Sequence, residues 1–301
     1  MQKRVRLNRV IEMFEAGVAP MGIFAFNASM RSAAAMAEAP MDFIILDLEH
    51  TPFGVEHLES FLLALTDKAR ILEKGNLQPD VVPLVRLPSY GSERIQYLMK
   101  QALDLGVFGV VAPTINTADE AIHAVAGMRF AQAPGAPDFY PEGRRGVGYP
   151  WAARYWGIPG PEYAARADLW PLDPDGELLL WCMIETREGM ENCRAIARTP
   201  GVGGILIGPS DLSMSLEGRK GGSAVQSALA AIQSICKEEH MPCGLAVSAS
   251  DAMAYLNAGF DFLVAGIDTG LPAGVEQALQ RVRAERARRA GAPTSRAKDR
   301  S

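Results

Sequence analysis

The amino-acid sequence predicts a (β/α)8 barrel, on three observations. Eight short apolar runs recur along the chain with little polar alternation, helix-like segments separate them, and no Gly-x-Gly-x-x-Gly turn follows the first run. Apolar runs without alternation are how strands buried on both faces read. Alternation of such strands with helices implies right-handed crossovers and a parallel sheet. Eight units within roughly 270 residues suit a closed barrel. A doubly wound open sheet is the second choice, and the missing glycine-rich turn speaks against it.

In chain order the runs are Gly22–Phe26, Phe43–Leu46, Val81–Val85, Phe108–Ala112, Leu178–Ile184, Gly204–Ile207, Gly244–Val247 and Phe262–Ala265. The intervening helical patterns cover Ala33–Ala39, Glu56–Asp67, Ser92–Leu105, Ala118–Met128, Arg187–Thr199, Ala224–Glu239 and Asp251–Ala258. A last helix is expected over Val275–Arg289. Ala131–Tyr149 breaks the rhythm: it is rich in Pro and Gly, leads into the aromatic Trp151–Trp156, and is too long for an ordinary strand–helix loop. The expected organisation is one domain over residues 1–287 and a disordered basic tail over 288–301.

Composition excludes several classes of protein. With 48% hydrophobic and 22% charged residues and a net charge of -5, the 301-residue chain is not disordered over most of its length. No apolar run approaches the roughly 20 residues of a membrane span, and the acidic balance offers no footprint for nucleic acid. Met1–Arg9 is basic, but the stretch behind it is mixed and short, so no secretory signal is expected. The four cysteines form no Cys-x-x-Cys pair and read as reduced thiols of a cytoplasmic protein.

In a barrel the chemistry sits at the C-terminal ends of the strands. There the second run ends in Asp47-Leu-Glu49-His50, the third in Arg86, the fifth in Glu185-Thr-Arg187, the sixth in Gly208-Pro-Ser210-Asp211 and the eighth in Gly266-Ile-Asp268. Ionisable groups set against a core are paired or functional. Glu185 and Asp211 are a candidate metal pair, because two carboxylates with water and substrate make the oxygen site that Mg2+ or Mn2+ prefers. The plainer reading pairs Glu185 with an arginine and makes Asp211 a helix-start residue. Amides at Ser210 and Asp211 are also open to a substrate carboxylate. His50 follows Asp47 by three residues; an Asp that accepts from the imidazole would raise its basicity and suit it to general-base work. A buried histidine bonded to a loop carbonyl is the alternative. Arg86 could stabilise an enolate oxygen, or simply pair with Asp47 or Glu185. Arg144 and Arg145 are weaker candidates for a distal substrate carboxylate, and solvated loop charges are the preferred reading of both. Only seven lysines occur, and none ends a strand. A Schiff-base aldolase needs one there, so the sequence favours metal stabilisation of an enolate over an imine.

Taken together, Asp47-Leu-Glu49-His50, Val-Arg86-Leu-Pro, Ile-Glu185-Thr-Arg-Glu, Ile-Gly208-Pro-Ser210-Asp211-Leu-Ser and Gly266-Ile-Asp268-Thr resemble the HpcH/HpaI family of class II pyruvate aldolases, in order over roughly Val18–Ala273. The resemblance implies a lyase of (β/α)8 fold that reversibly cleaves a 4-hydroxy-2-oxo acid to pyruvate and an aldehyde with a divalent cation, Mg2+, Mn2+ or Co2+. It also implies a homo-oligomer, a trimer or hexamer, with the last helix swapped onto a neighbour. Carried over residue by residue, Glu185 and Asp211 would ligate the metal, amides at Ser210 and Asp211 would hold the pyruvate carboxylate, Arg86 would steady the enolate, and His50, oriented by Asp47, would assist removal of the aldol hydroxyl proton. Departures stand at Met183, where the best-known members have Gln, and at insertions around Arg70–Asp80 and Ala131–Glu142. The second insertion is expected near the aldehyde side, where with Tyr149, Trp151 and Tyr155 it would favour a bulkier or aromatic acceptor; the alternative is a trimer interface filled with these aromatics. Two other readings stay open: a lyase of the malyl- or citramalyl-CoA type, against which the scarcity of lysine speaks, and an inactive barrel acting in assembly, which would have lost one of these side chains.

Overall fold

Eight parallel strands close on themselves in chain order: β1 (Met21–Ala25), β2 (Phe43–Asp47), β3 (Val82–Arg86), β4 (Gly109–Ala112), β5 (Leu179–Ile184), β6 (Gly204–Ile207), β7 (Cys243–Ala246) and β8 (Phe262–Asp268). The structure is a computed structural model; it describes residues 5–52, 54–88, 93, 96–218 and 223–268, and beyond them only 277, 280, 281 and 284. β8 pairs with β1 to seal the barrel. Strands β1 to β6 are buried at every position. One face of each strand fills the lumen and the other meets helices, so a polar residue has no place until the strand ends.

The helices are α1 (Arg9–Glu15), α2 (Met30–Ala37), α3 (Val55–Leu65), α4 (Lys68–Lys74), α5 (Gln96–Leu105), α6 (Ala118–Met128), α7 (Pro150–Trp156), α8 (Gly160–Arg166), α9 (Arg187–Glu191), α10 (Cys193–Ala197), α11 (Pro209–Glu217), α12 (Ala224–Glu238) and α13 (Ala252–Asn257). Capping sets several of these bounds. Thr117 and Glu120 form a reciprocal capping box at the start of α6. The expected helix over Arg187–Thr199 is two short ones, meeting at Asn192, whose side-chain amide donates to the Asn116 carbonyl at 2.8 Å. The expected start at Ser92 falls at residues not described, and so do most of Val275–Arg289 and the whole of 288–301; residues 277, 280, 281 and 284 are helical.

Helix α1 was not expected. The Asn8 side chain caps it, accepting from the amides of Val10 and Ile11. The Asn8 backbone N–H donates to Glu177 Oε2 at 2.8 Å, just ahead of β5. Phe14 stacks on Trp170 at 5.9 Å and meets Trp181 and Phe262 within 6.5 Å. Trp181 itself stacks on Phe262 at 4.1 Å and lies edge-on to Phe43 at 5.1 Å. These rings plug the N-terminal end of the barrel, leaving the opposite rim for chemistry.

The 131–149 insertion is anchored at the side of the barrel. Arg129, fully buried, donates to Asp168 at 2.7 and 2.8 Å, to Asp138 at 2.6 Å, and to the carbonyls of Asp138 and Pro141. The placement near the aldehyde side is corrected for Tyr149 and Tyr155. Tyr149 packs on Tyr163 and Phe130, and Tyr155 lies against Gly106, at the end of α5 that leads into β4. Apolar ring surface is drawn there by Phe108 and Trp156, which stack 4.4 Å apart. Arg145 is likewise withdrawn from substrate: it is 4% exposed and donates to Asp104 and to the Tyr163 hydroxyl. Arg144 is exposed.

Candidate active site

Four strand ends converge. β2 delivers Asp47 and, in the turn behind it, Glu49 and His50; β3 ends in Arg86; β5 runs into Glu185; β6 runs into Gly208 and α11. Asp47 and Arg86 are register partners across β2 and β3. Arg86 Nε donates to Asp47 Oδ1 at 2.6 Å, and Nη1 lies 3.1 Å from Glu49 Oε2. The guanidinium also covers the Phe24 ring, 4.3 Å from its centroid.

The expected contact between the Asp47 carboxylate and the His50 imidazole is corrected. Asp47 spends its oxygens on Arg86 and on the backbone N–H groups of Glu49 (3.3 Å) and His50 (3.1 Å), while its carbonyl accepts from the Thr51 hydroxyl. It therefore shapes the turn that carries His50 without touching the ring. The partner of the ring is Glu49, with Nε2 3.6 Å from Oε2, and the imidazole is otherwise largely open to solvent. An in-register guanidinium forms a stronger, charge-assisted bond to Asp47 than a neutral imidazole could.

Glu49 is the member the sequence reading passed over. Its position two residues beyond Asp47, with buried Leu48 between, was the available signal. Burial pushes its carboxyl up to about 7, Arg86 pulls the other way, and Asp47 and Asp211 add to the rise. Oε2 of Glu49 is buried without a hydrogen-bond partner among the described residues, Arg86 approaching it as an ion pair only. Glu185 behaves alike. Burial raises it to about 7, Glu49 and Asp211 add to this, and the Thr114 N–H and Arg86 oppose it.

Glu185 and Asp211 come from adjacent strands, β5 and β6, in which Ile184 pairs with Ile207. Asp211 lies in the first turn of α11, behind Pro209. Proline has no N–H, and Leu212 donates to the Gly208 carbonyl. The amides of Ser210 and Asp211 are therefore the free donors of this helix start. Glu49, His50, Thr114, Glu185, Asp211 and Ser215 line one open cleft at the rim. Arg86 and Asp47 lie buried behind Glu49.

These groups suit a divalent cation. Asp47 and Asp211 raise Glu49, Glu49 and Asp211 raise Glu185, and Arg86 opposes the rise in both, so an added positive charge would relieve an excess of carboxylate. All the donors are hard oxygens, the chemistry of Mg2+ or Mn2+. Among the described residues no group of three His, Cys, Asp or Glu side chains could hold an ion unaided. Glu185 and Asp211 would thus supply two donors, with water and substrate completing the shell.

A closed eight-stranded barrel with acidic and basic side chains gathered at its C-terminal rim defines an enzyme of the (β/α)8 class. The profile of the HpcH/HpaI aldolase/citrate lyase family matches residues 21–273, and the chain belongs to that family. It is 32% identical over 262 residues to a 5-keto-4-deoxy-D-glucarate aldolase of Citrobacter koseri, covering 86% of this chain and 89% of the relative. A 5-keto-4-deoxy-D-glucarate aldolase of Salmonella paratyphi A is 33% identical over 253 residues, 83% of this chain and 86% of the relative. Among solved structures, an HpcH/HpaI aldolase/citrate lyase family protein from Burkholderia cenocepacia superposes with a TM-score of 0.70 at 26% identity, covering 94% of this chain and 99% of that one. The chain is accordingly a lyase-family enzyme. No helix among the described residues is long and apolar enough to cross a membrane.

Proposed function

We propose that this protein is a divalent-metal-dependent aldolase that cleaves a 4-hydroxy-2-oxo acid to pyruvate and an aldehyde, and runs the reverse addition. The observation that carries the reading is the surplus of carboxylate around Glu185 and Asp211, facing open helix amides. A divalent ion held there supplies Lewis-acid stabilisation of charge that grows on the substrate's 2-oxo oxygen. The amides of Ser210 and Asp211 receive the substrate carboxylate. Arg86, held rigid by Asp47 and Glu49, contributes a fixed positive charge as the carbon–carbon bond breaks, so it lowers the barrier rather than KM alone. His50 takes the proton of the aldol hydroxyl, and Glu49, 3.6 Å from its ring, is the carboxylate placed to stabilise the imidazolium.

The relatives' name makes 5-keto-4-deoxy-D-glucarate the first substrate to try. A trimer or hexamer with the last helix exchanged between subunits, and a cytoplasmic setting, belong to the same proposal. Pyruvate release from a panel of 4-hydroxy-2-oxo acids, with Mg2+, Mn2+ or Co2+ in turn, tests it, with acyl-CoA esters as the contrasting arm. Glu185→Ala should abolish release while the protein stays folded. Full activity in EDTA would overturn the proposal.

A further inference from the structure

We infer that Thr114 and Gly208 are positioning residues for Glu185: a left-handed turn behind β4 and a missing Cβ behind β6 hold the carboxylate in one orientation. The inference rests on Glu185 being a metal ligand, as proposed above.

The first wall is backbone. Glu185 Oε2 accepts the Thr114 N–H at 3.0 Å, with the Thr114 hydroxyl at 3.5 Å. Thr114 has a φ of 56°, a conformation unfavourable for a β-branched residue. The other described non-glycine residue with positive φ, His240, follows the C-terminus of α12, where such a turn is ordinary. Thr114 ends no helix. Its conformation has a different use: successive N–H groups of an extended chain point in opposite directions, whereas here two in a row point at β5. The Thr114 N–H meets Glu185, and the Ile115 N–H meets the Met183 carbonyl at 3.1 Å. The turn is held from behind, because the Asn116 N–H donates to Glu120 at 2.7 Å and the Asn116 carbonyl accepts from Asn192.

The second wall is an absence of side chain. A Cβ at Gly208 would stand 2.4 Å from Glu185 Oε1 and 2.9 Å from its Cγ. Gly208 has a φ of -97°, which any residue adopts, so the glycine is needed here for space and not for backbone freedom. With Oε2 bonded to the Thr114 amide, Oε1 is the oxygen left freer for a cation. The carboxylate is set before any ligand arrives, as supporting groups around a metal site do.

Mn2+ affinity by calorimetry on metal-free protein, with Tm measured alongside, tests this without recourse to activity. Gly208→Ala should fold normally, since the atoms nearest its Cβ all belong to the Glu185 side chain and none to backbone, yet raise the Mn2+ Kd about tenfold or more. Thr114→Pro, which removes the N–H and forbids the turn, should weaken binding by a similar factor. Thr114→Gly keeps the amide and adopts the turn freely, so its Kd should stay within about twofold of wild type. A folded Gly208→Ala protein with wild-type Kd overturns the inference and leaves the metal reading standing, and that variant decides the matter if Thr114→Pro does not fold. A tenfold loss in Thr114→Gly overturns the backbone account of Thr114. Wild-type protein that binds no Mn2+ overturns the metal reading and this inference with it.

Discussion

Arg86 and Asp47 face each other across β3 and β2 as a buried ion pair, Nε 2.6 Å from Oδ1, and this pairing leaves the His50 ring to Glu49. Removing one member of a buried pair strands the other in a poorly solvated place. Asp47→Ala should therefore destabilise the fold by about 3 kcal/mol, read as a lower denaturant midpoint with unchanged slope. Arg86→Lys should keep the fold but lower kcat at least about a hundredfold, since an ammonium cannot span Asp47 and Glu49 together. A lysine variant of wild-type kcat would show that a point charge is enough.

The second expectation concerns pH. In the metal-free protein Glu49 and Glu185 are raised from 4.5 to about 7. Between those values the folded state holds protons that the unfolded state has released. Stability contributed by these groups is thus largest below about pH 4.5 and is lost as pH climbs through 7. The charges facing them are Asp47, Asp211 and Arg86, with the half-open His50 beside Glu49. Tm in EDTA should fall more steeply between pH 5.5 and 7.5 in wild type than in Glu185→Gln. Parallel slopes would remove this account.

A third concerns the sealed end of the barrel. Phe14→Ala deletes the ring that joins Trp170, Trp181 and Phe262. A loss of about 3 kcal/mol is expected, with kcat per folded molecule unchanged at 25 °C because the rim is not touched. A drop in kcat would mean that the plug transmits strain to the rim.

The fourth concerns the insertion behind α6. Arg129→Ala removes the one side chain that binds Asp138, Asp168 and the carbonyls of Asp138 and Pro141. Limited proteolysis should then cut within residues 131–142 well before the barrel unfolds. An uncut loop would show that its other contacts suffice.

Strands were legible because burial on both faces writes itself as unbroken apolar runs such as Leu178–Ile184. Helix α1 was not, since its value lies in Phe14 meeting aromatic residues more than 150 positions away, a relation that no local pattern carries. Glu185, Asp211, Arg86 and His50 could be picked out as charges just past apolar runs. The choice between two acceptors for one carboxylate could not, because it turns on register: Asp47 lies beside Arg86 only once β2 and β3 pair. Thr114 carried no signal at all, since threonine is not a residue that advertises a left-handed turn.

The aromatic plug separates the parts of the molecule that bear load from the parts that meet substrate. With one end of the cylinder closed by Phe14, Trp170, Trp181 and Phe262, turns at the opposite end that leave the Asp47–Arg86 pair in place can be exchanged with little penalty to folding. Grafting rim segments from a sibling with another aldehyde preference should move selectivity between scaffolds while leaving the melting point nearly where it was. In that sense the molecule is a socket, and evolution or a protein engineer needs to change only what is plugged into it.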